Sequence, residues 1–175
     1  MAAINEGLRL CDVIERVNVP NDLLQKPYLK PQYDQIEFVV RNIWRMHAGW
    51  WDGNPSHLEP VHDRVLAKEI VALAGGITAV QIRIRTLIRQ ETKESLAVAA
   101  HLVSILITRV YLANYNQAEH LLYEDDSQES KNLYEQIYSY RSLHAGSTMA
   151  TGIYSYTAGT VTPEVEEFKK ILAKI

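Results

Sequence analysis

This chain has little of what would announce a chemistry. One cysteine, Cys11, occurs in 175 residues, so no internal disulfide can form and the sequence gives no sign of an oxidising compartment. A catalytic thiol is one reading of Cys11. It sits, however, inside the amphipathic run Leu8-Arg9-Leu10-Cys11-Asp12-Val13-Ile14, where a packing role is expected. Charge of one sign is not in excess: 18 Lys+Arg stand against 21 Asp+Glu, a net charge of −3. The absence of a basic block argues against a phosphate-backbone partner, and nucleic acid is not expected. Long hydrophobic runs are also missing. The most apolar, residues 96–112, is interrupted by His101, Ser104, Thr108 and Arg109 and falls short of the roughly 20 residues a bilayer requires. No membrane span is expected, and 96–112 reads as a buried core helix. Residues 1–20 carry charges every few positions and no continuous apolar stretch of the kind a secretory leader needs. A cytoplasmic location is the expectation.

Strict two-residue alternation is absent outside the last third, and nearly every segment between breakers shows helical periodicity. The predicted fold is all-α, an irregular antiparallel helical array of tetratricopeptide-like hairpins, although no repeat of fixed period occurs. At 175 residues a single domain is expected: residues 1–33 as an N-terminal helix and proline-bracketed strap, 34–159 as the helical core, and 160–175 as a C-terminal helix.

Helices are predicted over 5–16 and 21–26, with an extended strap where Pro27 and Pro31 bracket Tyr28-Leu29-Lys30. Asp34 with Glu37 gives a capping-box pattern, and Ile36, Val39, Val40, Ile43, Trp44 and His47 then form one buried stripe. Helix 62–74 should bury Val65, Leu66, Ile70 and Leu73 and stop at Gly75-Gly76. Helix 78–90 should turn Val80, Ile84, Leu87 and Ile88 inward. A central spine is predicted over 94–113, a break at Asn114-Tyr115-Asn116, and a return helix over 117–123. Helices over 130–141, 143–156 and 163–174 complete the array.

What the chain does have is the stretch Gly49-Trp50-Trp51-Asp52-Gly53-Asn54-Pro55-Ser56-His57-Leu58. Two adjacent tryptophans carry apolar area that must be buried or presented to a partner. Gly53, Asn54 and Pro55 are the residue types a sharp turn demands, and Asp52 and Asn54 can each bond to backbone N–H groups two residues on. A helix must therefore end abruptly with aromatic weight at its tip. The stretch reads as a specified structural loop and, equally, as a docking element with Trp50 or Trp51 as anchor.

These ten residues resemble the G-W-[FY]-D-G-N-P-A-x-L signature of the alkyl sulfatase dimerisation region. The likeness extends back through Pro27-Tyr28-Leu29 and residues 36–47, and forward through Leu73-Ala74-Gly75-Gly76 to residues 146–156. It departs at Trp51, where Phe or Tyr is usual, and at His47-Ala48, where Tyr-Leu is common. In that family the region follows a metallo-β-lactamase-type catalytic domain in a longer chain. The resemblance implies a non-catalytic helical module, a homodimer, a possible metallo-β-lactamase-type catalytic domain as partner, and zinc only in that attached domain. Family-like sequence close behind Met1 leaves open whether the chain is a fragment or one that has lost its upstream domain.

The resembled catalytic domain holds two metals through a His-x-His-x-Asp-His set, and the six histidines here, His47, His57, His62, His101, His120 and His144, show no such spacing. A two-metal site needs several ligands converging on ions a few ångströms apart. The densest cluster, His57, Glu59, His62 and Asp63, would need one segment to wrap the ion; a polar loop and helix cap is the plainer role. His101, Ser104 and Thr108 fall at i, i+3 and i+7 of the predicted spine. Hydroxyl bonds to the preceding turn account for them better than a Ser–His nucleophile pair, which would need an orienting acid. Arg41, Arg45, Arg83, Arg85 and Arg89 could bind an anion such as sulfate, but are spaced around two helices as solvated residues usually are. The tyrosines from Tyr134 to Tyr156 could line a ligand groove or pack between helices.

No catalytic and no metal-binding residue is assigned, and no cofactor. The expected interface side chains are Leu102, Ile105, Tyr134, Tyr138 and Tyr154, on helices suited to a two-fold contact. The rival readings are a stand-alone scaffold for a peptide or apolar ligand, and a metal-dependent enzyme acting alone.

Overall fold

The computed structural model describes residues 1–110, 118–121 and 127–159. The fold is all-α, with one short two-stranded ribbon among the described residues. The described residues divide into two compact units, residues 1–60 with 146–149, and the remaining described residues from 61 to 159.

In the first unit, α1 (Ala2–Asn5) and α2 (Leu10–Arg16) replace the single helix predicted over 5–16, the break falling at Gly7. α3 (Asn21–Leu24) begins directly after Pro20. The strap predicted to be extended is a turn instead: the Leu29 N–H donates to the Lys26 carbonyl at 2.9 Å. Pro27 thus occupies the second position of a turn, for which its fixed φ is as well suited as it is for extended chain.

α4 (Ile36–Ala48) forms where expected, but its N-cap is Gln35 and no side chain caps it. Asp34 accepts the Gln35 N–H, and the Gln35 amide donates to Glu37 at 2.9 Å, so the predicted capping box is not made. Val40 and Trp44 are buried with Val13, and Ile4, Leu8, Leu10, Ile14 and Ile36 pack against them. Val39 and Ile43, predicted to share that buried stripe, are 45% and 41% exposed. Cys11 is exposed rather than packed.

The second unit carries the larger core. α5 (Asp63–Ala74) closes on Gly75 in the left-handed conformation, as the sequence predicts. It buries Ala67 and Val71 and leaves Val65, Leu66 and Leu73 exposed. The predicted inward face is therefore wrong: this helix has apolar residues on more of its circumference than one packing contact can cover, and its small residues face the core. α6 (Ile77–Ile88) meets α5 at a bend of 84°, which is not the fold-back of a hairpin. Its Val80, Ile84, Leu87 and Ile88 are buried as predicted.

α7 (Lys93–Leu106) starts on a capping box between Thr92 and Ser95 and packs against α5, α6 and α8 (Gln128–Leu143). Ala99, Val103 and Leu106 have no exposed surface, so it is the central helix the sequence predicts. It ends earlier than 113. At Ile107 the backbone turns extended, and β1 (Ile107–Val110) pairs antiparallel with β2 (Ala118–Leu121), Thr108 opposite His120. The β-branched Ile107, Thr108 and Val110 favour strand once Leu106 has completed the buried turn. The predicted return helix over 117–123 is thereby overturned in residues 118–121. The break at 114–116 and the C-terminal helix over 163–174 lie outside the described residues.

The first turn of α8 is fixed by polar contacts. Ser127 caps it by accepting the Ser130 N–H, and the Gln81 amide on α6 donates to Ser130 Oγ at 3.1 Å. Leu133, Tyr134 and Ile137 then enter the core. α9 (Thr148–Thr157) begins five residues later than predicted. No single helix among the described residues is long and apolar enough to cross a membrane; α5 and α6 together pass by length and composition only as a bent pair.

Candidate functional site

The loop after α4 is held from below by two helices. Trp44, 7% exposed, donates its indole N–H to the Trp51 carbonyl at 2.9 Å. The Leu10 N–H, at the start of α2, donates to the Asp52 carbonyl at 3.0 Å. An N-terminal helix donor has no partner inside its own helix, so the loop satisfies α2 as α2 fixes the loop. Gly49 ends α4 at φ 87°, ψ −159°, a region essentially closed to side chains. Gly53 has φ +86°, and a Cβ there would lie 3.2 Å from Arg9 Cγ. Arg9 is itself held by Asp12 at 3.1 Å, so the backbone passes closely over an anchored side chain.

Above this floor the loop braces itself. The Asn54 N–H donates to Asp52 Oδ1 at 2.9 Å, and Asn54 Oδ1 accepts the Ser56 N–H at 3.1 Å, capping the short 3-10 turn Pro55–His57. With the amide oxygen so used, Asn54 Nδ2 faces His57 Nε2 at 3.3 Å as donor. Nε2 therefore accepts, the proton sits on Nδ1, and Nδ1 donates to Asp52 Oδ2 at 2.6 Å. The Asn54 N–H and then His57 hold the Asp52 carboxyl below the usual carboxylate range. The pair braces the loop, with His57 Nε2 facing Asn54 Nδ2.

The outcome is asymmetric exposure. Trp51 is 38% exposed and its indole N–H donates to the Asn54 carbonyl at 2.9 Å. Trp50 is 73% exposed. All seven motif residues, Gly49, Trp50, Trp51, Asp52, Gly53, Asn54 and Pro55, thus lie in one fixed loop that presents an aromatic ring. Sequence reasoning missed the parts played by Trp44, Arg9 and Leu10.

The other sequence candidates are placed as follows. His62 caps α5 by accepting the Arg64 N–H at 3.2 Å, while His57 serves the loop. Among the described residues no three His, Cys, Asp or Glu side chains are grouped to hold a metal, so those residues do not fit one. Ser104 donates to the His101 carbonyl at 2.8 Å, the back-bond to the preceding turn. Thr108 lies beyond the helix, so the three do not share a helical face. Arg85 pairs with Glu129 and with Arg89 lines an open depression of about 350 Å3 between α6 and α8; Arg41 and Arg45 sit on α4. Tyr134 is 2% exposed and packs against Tyr138 with ring centres 4.7 Å apart, and Tyr154 receives the Arg141 guanidinium at 2.7 Å. Tyr134 has little surface to offer a partner, and Leu102, Ile105, Tyr138 and Tyr154 are half-buried.

Fold and loop together define a helical chain with a braced loop after α4 in which Trp50 is exposed. The family model for alkyl sulfatase dimerisation matches residues 10–163, and the chain belongs to that family. It is 34% identical over 74 residues to a linear primary-alkylsulfatase of Pseudomonas sp., a match covering 42% of this chain and 14% of that one. Over 80 residues it is 30% identical to an alkyl/aryl-sulfatase of Saccharomyces cerevisiae, covering 46% and 12%. Among solved structures it is similar to the stereoselective inverting sec-alkylsulfatase Pisa1 from Pseudomonas sp., with TM-score 0.68, 22% identity, 92% of this chain and 24% of that one. A double mutant of the same sulfatase gives TM-score 0.70 at 20% identity, covering 94% and 26%. At those identities the likeness is one of fold. The chain matches about an eighth of the length of the curated relatives and about a quarter of the solved ones.

Proposed function

We propose that this chain is a non-catalytic self-association module that pairs two copies of an alkylsulfatase-type hydrolase. Zinc and turnover belong, on this reading, to a metallo-β-lactamase-type catalytic domain outside these residues, and the braced loop is a docking element with Trp50 as its anchor. The carrying observation is the surplus of exposed apolar surface on ordered helices and the loop they hold, including Met46 at 79%, Trp50 at 73% and Leu73 at 87%. Large apolar side chains left in water on well-formed elements are the mark of an interface. The test is light scattering on the 175-residue chain at tens of micromolar. A dimer is expected; a clean monomer, or sulfate-ester hydrolysis by this chain without another polypeptide, overturns the reading.

A further inference from the structure

In the outer layer of the loop after α4 three side chains are linked so that each proton has one place to go. His57 Nδ1 donates to Asp52 Oδ2 at 2.6 Å, Asn54 Nδ2 donates to His57 Nε2 at 3.3 Å, and Asn54 Oδ1 accepts the Ser56 N–H at 3.1 Å. A neutral imidazole satisfies this arrangement, because one ring nitrogen donates and the other accepts. A protonated one does not. Both nitrogens then donate, and Nε2–H would point at the Asn54 amide hydrogens across 3.3 Å with no acceptor between them. We infer that this is a proton-sensitive latch: when His57 takes up a proton, the Asn54 amide turns its oxygen to Nε2 and the Ser56 N–H loses its cap. The latch lies wholly within the loop and works the same whether or not two copies associate.

The Asp52 end is not the one that yields. Asp52 Oδ1 also accepts the Asn54 N–H at 2.9 Å. That bond and then His57 hold the carboxyl below the usual carboxylate range, so it stays ionised wherever histidine titrates. A carboxylate holds an imidazolium more tightly than a neutral ring, which keeps the ring in place. Among the described residues Asp52 is the one ionic partner of His57. From α2 the loop meets Arg9, which is tied to Asp12 and acts on Asp52. The Asn54 amide is the softer partner. A half-turn about its last bond exchanges Oδ1 and Nδ2, so the oxygen reaches Nε2 only by leaving the Ser56 N–H. That N–H lies in the 3-10 turn Pro55–His57, where the first N–H groups have no partner inside the turn. The bonds that anchor the tryptophans involve no titrating group: Trp44 donates to the Trp51 carbonyl, and Trp51 to the Asn54 carbonyl. Acid thus loosens the turn that follows the tryptophans and leaves their anchorage in place.

The experiment follows the 175-residue chain by nuclear magnetic resonance from about pH 8 to about pH 5, the range in which histidine takes up its proton. The His57 ring nitrogens report tautomer and protonation, and the temperature dependence of the Ser56 amide proton shift reports its hydrogen bond. At the alkaline end the ring should carry its proton on Nδ1, and the Ser56 proton should depend weakly on temperature. As the ring charges, the Ser56 proton should acquire the steep dependence of a free amide with the same midpoint, while the Trp44 indole proton keeps its shift. His57→Gln should leave the Ser56 bond intact across the range. Asn54→Asp should do so as well with His57 still titrating, since a carboxylate has an oxygen for each donor; this second variant keeps the test independent of how the first one folds. A Ser56 bond that survives protonation of His57 in the wild-type chain overturns the latch, as does its loss over the same range in either variant or an Nε2–H tautomer at the alkaline end. A Trp44 indole proton that shifts with the His57 midpoint means that the whole loop opens instead of the Asn54 amide turning, and overturns it too.

Discussion

Replacing the tryptophans by phenylalanine one at a time separates the loop's support from its display. All three, Trp44, Trp50 and Trp51, lie in the first compact unit, so their fluorescence in urea follows that unit's unfolding. Trp44→Phe removes a 2.9 Å bond to the Trp51 carbonyl, worth about 1 kcal/mol net. It also removes part of a ring that is only 7% exposed, for about 1 kcal/mol more in packing. A loss of about 2 kcal/mol is expected. Trp51→Phe loses its bond to the Asn54 carbonyl from a more exposed ring and should cost under about 1 kcal/mol. Trp50→Phe, at 73% exposure, should fall within about 0.5 kcal/mol of wild type. The ordering is the content of the prediction. If Trp44→Phe unfolds no more easily than Trp50→Phe, Trp44 does not hold the loop and the clamp between α4 and the loop backbone is refuted.

Gly53→Ala should destabilise the same unit by about 1–2 kcal/mol, since φ is +86° and Arg9 lies under the new Cβ; an unchanged urea midpoint would mean the loop relaxes freely. The Asp52 carboxyl is depressed by the Asn54 N–H and His57, so its contribution is present above the ordinary aspartate value and is lost as pH falls through its folded value. Tryptophan emission should accordingly shift on acidification below about pH 4, and Asp52→Asn should remove that acid limb. Burial, then the neighbouring Tyr134, raises the Tyr138 phenol from 10.0 to about 12. The penalty for ionising it in the fold is absent below about pH 10 and grows as pH rises towards 12, costing about 2–3 kcal/mol of stability. The late-titrating part of the phenolate absorbance should diminish in Tyr138→Phe.

Helix content and the motif loop were legible because their signals are local. Gly75-Gly76 marks a left-handed stop, and the order Asp-Gly-Asn-Pro demands a turn whatever surrounds it. Which face each helix buries was less legible, since that depends on neighbours. Val39 and Ile43 match the period of the buried stripe, but α2 reaches only as far round α4 as Val40 and Trp44. On α5 the small Ala67 goes inward and Leu73 outward because close approach to α6 and α7 outweighs side-chain hydrophobicity. At Ile107 the preference of β-branched residues competes with a helical apolar run, and periodicity alone cannot rank the two. The clamp on the loop from Arg9 and Leu10 joins residues some forty positions apart, which no short-range pattern records.

Sedimentation equilibrium on the 175-residue chain tests the central claim most directly. The account predicts a mass of twice 20.0 kDa. A wild-type mass of 20.0 kDa at every concentration would contradict it.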